Sequence, residues 1–208
     1  VPVTWPLPTL FRYHLFLQQE ELLKSFDYVF YCDIDMLFKN IVGDEILCEG
    51  LTVAPHPMYY LQDKFVPPYD HNPQSAANVD VPGFVYSEGG KVKFRQMYAA
   101  GGFQGGKASV WIEAMKKMRD MIDADFLINY TPRWNDESIW NAYLWKYPKD
   151  EKNFVYLTPA YVYPDSLIGP DGYYEKIWGR NFKPKLVTIT KSFSIKTLTA
   201  EEQKSLNE

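Results

Sequence analysis

The run Phe26-Asp27-Tyr28-Val29-Phe30-Tyr31-Cys32-Asp33-Ile34-Asp35-Met36 sets the strongest constraint on this chain. Five consecutive apolar and aromatic residues, Tyr28 to Cys32, have strand character, and they end in two acids one residue apart. Burying unpaired carboxylates is expensive, so the run must stop at an open end of a sheet, with its acids facing a cation. A strand over 28–33 with a ligand site beyond its carboxyl end is the reading that satisfies both halves.

The rest of the pattern supplies helices to cover such a strand. Pro6 and Pro8 make a rigid entry, and Thr9 is suited to cap a helix predicted over 10–24, with Arg12 in its first turn. A turn or short helix is expected over 43–47, and a strand over 51–55 that ends at His56-Pro57. Residues 58–90 are rich in Pro, Asn, Asp and Gly with aromatics interspersed, the composition of a long functional loop. A strand over 92–99 is expected to close at Gly101-Gly102 and Gly105-Gly106. Trp111, Met115, Met118 and Ile122 share one face of a helix over 110–122. A strand or loop over 130–135, a helix over 137–147 and a strand over 155–159 follow. The pattern weakens after Pro164, and residues 190–208 read as a mobile tail. Alternating strands and helices predict an α/β fold with a mainly parallel sheet, in one domain over 1–208.

Composition narrows the partners. The net charge of -4 carries no basic face of the kind a nucleic-acid binder needs. No apolar run reaches the length of about 18 residues that would span a bilayer, so no membrane segment is expected in this chain. Two cysteines, Cys32 and Cys48, do not make a disulfide scaffold.

Each remaining constellation has an ordinary and a chemical reading. Asp33-x-Asp35 is a solvated turn or a hard-oxygen site for Mn²⁺ or Mg²⁺, which complete their shells with water and phosphate oxygens. His56 is a satisfied structural histidine or a polar contact in a pocket. Ala99-Ala100-Gly101-Gly102-Phe103-Gln104-Gly105-Gly106 is a set of tight turns or a backbone that a ligand approaches closely. Trp134-Asn135-Asp136-Glu137-Ser138 opens a helix, where acids suit the dipole. The same residues offer an aromatic face for a sugar and carboxylates for its hydroxyls or an oxocarbenium-like centre. Lys176, Arg180, Lys183 and Lys185 form a solvated basic face or a lid over a diphosphate.

Taken in order, several of these pieces resemble glycosyltransferase family 6, the family of the blood-group A and B transferases. They are Arg12, Asp33-Ile34-Asp35-Met36 with Val42-Gly43-Asp44-Glu45-Ile46-Leu47 after it, His56-Pro57 with Tyr59-Tyr60, Pro73-Gln74-Ser75, the stretch from Tyr98 to Gly106, Trp134 to Ser138, and Thr158-Pro159-Ala160-Tyr161. The resemblance implies a GT-A fold and retaining transfer of GalNAc or Gal from a UDP-sugar to the 3-hydroxyl of a β-galactoside acceptor. It implies that Asp33 and Asp35 hold Mn²⁺ and the diphosphate, and that Arg12 contacts the donor. Ala100 and Gly102 match the positions that sort the two sugars; both are small, which favours GalNAc. Asp136 matches the acid that binds the donor sugar, and Glu137 the acid beside the anomeric carbon. His56 and Trp134 match acceptor-side positions, and Arg180 and Lys183 are the candidates for the diphosphate lid.

Three departures from the family pattern stand out. Asn135 occupies a position where family members usually carry His, the loop before Pro73 is longer than usual, and the first βαβ unit of the nucleotide-binding half has no counterpart here. The alternatives are a non-catalytic carbohydrate-binding relative and a metal-dependent nucleotidyltransferase. The cytoplasm of a microbial cell is the expected location, and a Golgi lumen would require an anchor that has been removed.

Overall fold

The computed structural model describes residues 4–60, 66–80, 85–88, 91–94, 97–147, 153–167 and 182–189. The N-terminal run forms three short helices, α1 (Leu7–Leu10), α2 (Arg12–Leu17) and α3 (Glu20–Leu23), where one helix over 10–24 was predicted. No side chain caps any of their N-termini. Packing of the fully buried Leu10 and Tyr13, more than helix propensity, holds this run in place.

The strand before the acid pair is β1 (Tyr28–Cys32), and β2 (Met36–Phe38) follows the acids. Next come β3 (Leu51–Pro55) and a hairpin of β4 (Val85–Glu88) and β5 (Lys91–Phe94). The long strand β6 (Ala99–Lys107) runs into α4 (Ala108–Leu127), and α5 (Asn135–Lys146) comes after a loop. Three short strands follow, β7 (Val155–Tyr156), β8 (Tyr163–Pro164) and β9 (Leu186–Thr188), and short 3-10 turns, among them Asp44–Ile46 within the expected 43–47, link the elements.

The main sheet has the order β1-β6-β3-β7. Strands β1, β3 and β7 run the same way, which is the parallel arrangement expected, but β6 lies antiparallel between β1 and β3. The result is a mixed α/β sheet of the GT-A kind. Its helix-facing side buries Leu51, Val53, Tyr98 and Ala99 against Trp111, Met115, Ile139 and Trp140. Its other side packs Phe103, Ala54 and Ala100 against Leu157, Tyr161 and Leu186. There the second sheet, β2-β9-β8, closes the layer. Strand β9 gave no signal in the sequence because only Leu186 and Val187 of its three residues are buried.

Both glycine pairs lie inside β6, not in turns that end a strand. Gly105 and Gly106 are there because neighbouring backbones come too close for a side chain, whereas a Cβ on Gly101 or Gly102 would meet the Glu137 or Asp33 side chain. A Cβ on Gly106, at φ +141°, would stand 2.3 Å from the Gly50 carbonyl oxygen and 2.9 Å from Leu51 Cα. Gly106→Ala is therefore expected to lower stability by more than about 3 kcal/mol, read from urea unfolding. A loss under about 0.5 kcal/mol would contradict this account.

The antiparallel arrangement has a direct consequence for position. β6 begins where β1 ends: Cys32 pairs with Phe103, and the Asp33 amide donates to the Gly102 carbonyl at 2.9 Å. On the other side, Pro55 pairs with Ala99, and the His56 amide donates to the Tyr98 carbonyl at 2.9 Å. Asn141 of α5 then bonds both the amide and the carbonyl of Ala99. The C-terminal ends of β1 and β3, the start of β6 and the first turn of α5 thus meet at one place. The basic residues Lys176 and Arg180 and the 190–208 tail lie outside the described residues.

Candidate active site

Helix α5 starts at Asn135, two residues earlier than predicted, so Asp136 and Glu137 both fall in its first turn. Asn135 takes a left-handed conformation at φ 50°, and the Trp134 amide donates to Ser138 Oγ at 2.9 Å. This turns Trp134 outward, half exposed, while Asp136 turns inward and is buried.

Arg12 links the two acidic pieces. Its Nη1 lies 3.0 Å from Asp136 Oδ2 and its Nη2 3.6 Å from Asp33 Oδ1. The guanidinium also sits over the Tyr31 ring, 4.4 Å from its centre. The Tyr31 hydroxyl donates to Asp33 Oδ1. Tyr31 escaped the sequence reading, although a strand period of two puts it on the same face as Asp33.

Burial pushes the Asp136 carboxyl up to about 6; Arg12 opposes the shift and Asp33 adds to it. Burial likewise pushes Glu137 up to about 7. The Gly101 amide, which donates to Glu137 Oε2 at 2.8 Å, and the Tyr98 hydroxyl hold that rise down. Tyr98 stood in the sequence only as the first residue of the Tyr98 to Gly106 stretch, with no role toward Glu137. It lies far from Glu137 in the chain and carries no local signal.

His56 is pushed down to about 4 by burial. Its Nδ1 accepts from the Met58 amide at 3.3 Å, so the neutral ring carries its proton on Nε2 and is a hydrogen-bond donor there.

Two adjoining cavities open over these groups, about 420 and 580 Å³ in volume. Asp33, His56, Gly102 and Glu137 line both of them. Ala100 lines the first; Arg12, Asp35, Trp134 and Asp136 line the second. The structure thus brings together Arg12, Asp33, Asp35, His56, Ala100, Gly102, Trp134, Asp136 and Glu137. Lys183 is exposed and lines neither cavity. Lys185 is paired with Glu45 and sits by the Tyr161 ring. Thr188 and Ile189, which the sequence did not suggest, form part of the first cavity wall.

The second cavity is lined by four carboxylic acids, the neutral His56 and one cationic side chain, Arg12. Such a site gains from a bound cation. Among the described residues no group of three or more His, Cys, Asp or Glu side chains forms a cage for a metal ion. Mg²⁺ and Mn²⁺ need no cage, because one or two carboxylates suffice when phosphate and water oxygens supply the remainder. Asp33 and Asp35 fit that donor set. The arrangement can therefore hold an anionic leaving group through a cation at one end and stabilise positive charge with Glu137 at the other.

Residues 14–175 match the family model described as Glycosyltransferase family 6. Histo-blood group ABO system transferase 1 of Rattus norvegicus is 32% identical over 143 residues, covering 69% of this chain and 36% of that protein. Globoside alpha-1,3-N-acetylgalactosaminyltransferase 1 of Homo sapiens is 30% identical over 142 residues, covering 68% of this chain and 36% of its own length. The shared region thus spans little more than a third of these relatives. Asp33, Asp35, His56, Ala100, Gly102, Trp134, Asp136 and Glu137 all fall inside the family match, and Arg12 lies just ahead of it. No helix among the described residues is long and apolar enough to cross a membrane.

Proposed function

The chain belongs to glycosyltransferase family 6, and from that membership we propose that it is a retaining hexosyltransferase, moving GalNAc or Gal from a UDP-sugar to the 3-hydroxyl of a β-galactoside in α linkage. The observation that carries this reading is the convergence of two acidic sites from distant parts of the chain on one cleft, bridged by Arg12. One site has the donor set for a metal–diphosphate, and the other has the buried carboxylates a sugar requires.

In this reading Asp33 and Asp35 hold Mn²⁺, with Mg²⁺ as the substitute. When bound, the ion supplies positive charge to the departing diphosphate. Arg12 contacts the donor and keeps Asp136 oriented toward the sugar hydroxyls. Glu137 faces the anomeric carbon and stabilises the positive charge that develops there. Its carboxylate form is the active one, so kcat/KM is expected to rise with pH through about 7 in the free enzyme. His56 and Trp134 serve the acceptor, the first as a donor to a hydroxyl and the second as a stacking face. The lack of bulk at Ala100 and Gly102 leaves room for an N-acetyl group, which favours UDP-GalNAc.

The test is UDP release and product mass measured with both donors, with and without Mn²⁺. Transfer of a hexose that requires the ion and is lost in Asp35→Asn is the expected result. Acceptor binding with no UDP–Mn²⁺ binding would instead indicate a carbohydrate-binding module. A transferred nucleotide would indicate a nucleotidyltransferase.

Gly102 gives a finer test. A Cβ there would stand 3.0 Å from Asp33 Oδ2 and 3.5 Å from Met36 Sδ. Gly102→Ala is expected to displace the Asp33 carboxylate and weaken Mn²⁺ binding by about tenfold in calorimetry. Unchanged Mn²⁺ affinity would argue against Asp33 as a ligand.

A further inference from the structure

Two consecutive glycines are the freest backbone a chain can have, yet Gly101 and Gly102 sit at the centre of the cleft. The ladder to β3 does not hold them there. Val53 pairs with Gln104 and Pro55 with Ala99, so residues 100–103 of β6 face only Ala54 across a break in register. A bulge of this kind leaves backbone groups without ladder partners. The Gly101 carbonyl is served instead by a side chain on the same strand: Gln104 Nε2 donates to it at 3.0 Å. The carboxamide is itself oriented from its other end, because the Tyr13 hydroxyl donates to Gln104 Oε1 at 2.9 Å. Gln104 and Tyr13 are both fully buried.

A fully buried glutamine is unusual, because its amide must find partners inside the protein. If the space only needed filling, Phe at 13 and an apolar residue at 104 would do so without polar atoms to satisfy. The partner that Gln104 meets is informative. Gly101 is the residue whose amide donates to Glu137 Oε2 at 2.8 Å. Gln104 fixes the carbonyl side of this glycine, and Glu137 is bonded on its amide side. A chain of three hydrogen bonds therefore runs from α2 through β6 to the Glu137 carboxylate.

We infer that Gln104 is a positioning residue for Glu137: it locks the Gly101 backbone so that its amide aims one carboxylate oxygen and leaves the carboxylate facing the cleft. The inference builds on the transferase reading for its kinetic consequence, but its structural consequence is independent of that reading. Loss of the lock lets Gly101 rotate, and a reacting group misplaced by about 1 Å loses on the order of a hundredfold in rate.

The experiment uses Gln104→Met, which keeps the volume and removes both polar contacts, and Tyr13→Phe, which removes only the group that orients the amide. Amide hydrogen exchange across β6 is read by NMR, alongside steady-state kinetics with the UDP-sugar that the wild type uses. In Gln104→Met the Gly101 amide is expected to lose at least tenfold of its protection while Gly105 and Gly106 keep theirs. The kcat is expected to fall about 10- to 100-fold with donor KM within twofold. Tyr13→Phe is expected to show the same pattern with smaller amplitude. Equal loss of protection along all of β6 would make Gln104 a general core residue and overturn the inference, as would unchanged Gly101 exchange or an unchanged kcat. If the wild type transfers no sugar, the exchange pattern alone decides the positioning role, and only the transferase reading fails.

Discussion

Glu137→Gln is expected to abolish transfer and, in the same molecule, to raise the melting temperature at pH 8. The two effects share one cause. In the folded protein burial lifts the Glu137 carboxyl from 4.5 to about 7. Between those values the folded state binds more protons than the unfolded one, so stability falls as pH rises through that window. At pH 8 the full cost of a desolvated carboxylate is present, on the order of 3 kcal/mol for a shift of this size. Glutamine has the same shape, accepts the Gly101 amide bond and carries no charge. The gain should appear at pH 8 and vanish near pH 4.5, where wild-type Glu137 is already neutral. The rate should fall about a thousandfold or more, because the charge opposing the oxocarbenium-like centre is gone. Melting curves of the donor-free proteins at the two pH values and a UDP-release assay check both parts. A variant that melts lower than wild type at pH 8, or that still turns over at the wild-type rate, would contradict the role given to this carboxylate.

Removing the base between the acids has the opposite effect on stability. Arg12 is mostly buried and is within 4 Å of carboxylate oxygens on Asp136 and Asp33. Arg12→Met leaves both acids facing each other in a cleft without compensation, and breaking a buried pair in this way costs about 3–5 kcal/mol. The cost is expected at pH 8 and should shrink near pH 5, where Asp136, lifted to about 6, takes up a proton. Arg12→Lys should recover only part of it, since a single ammonium cannot reproduce a planar fork that spans two carboxylates. Urea unfolding at the two pH values separates these cases. A loss under about 1 kcal/mol at pH 8 would mean that the bridge carries no structural weight.

Parts of this site can be read from local sequence alone. The end of β1 is legible because an apolar run that stops in carboxylates has few places to go. The start of α5 is legible because Trp134 to Ser138 has the composition of a helix opening. The face of α4 is legible from the spacing of Trp111, Met115, Met118 and Ile122, all of which are buried. The glycines of β6 mislead, because close approach of a neighbouring backbone or of a cleft side chain and tight turning demand the same residue. The antiparallel placement of β6 is not written in any local pattern, since strand direction depends on where the connection returns. The Arg12–Asp136 contact joins residues far apart in the chain, and charge alone does not choose a partner among the other acids. β9 is too short to show a period. Residues 58–90 read as a loop and 92–99 as a single strand, whereas the structure has strand β4 inside that loop stretch, paired as a hairpin with β5 over Lys91–Phe94.

The pairing of Pro55 with Ala99, sealed by the bond from His56 to Tyr98, has an implication for how such a chain can vary. The polypeptide leaves the sheet and rejoins it at adjacent points. The two ends of the intervening stretch are therefore already fastened, and its middle is anchored as well, because Tyr69, Ala77 and Val79 are buried in the main core and Ser75 and Ala76 bond to Asp125. Lengthening a tethered excursion is thermodynamically cheap, about 0.6 kcal/mol for each doubling. Insertions placed outside that packed part can then remodel the rim of the cleft beside His56 while the acids on β1 and α5 keep their places. Tolerance of added length and the placement of the acids thus fall on separate stretches of one chain.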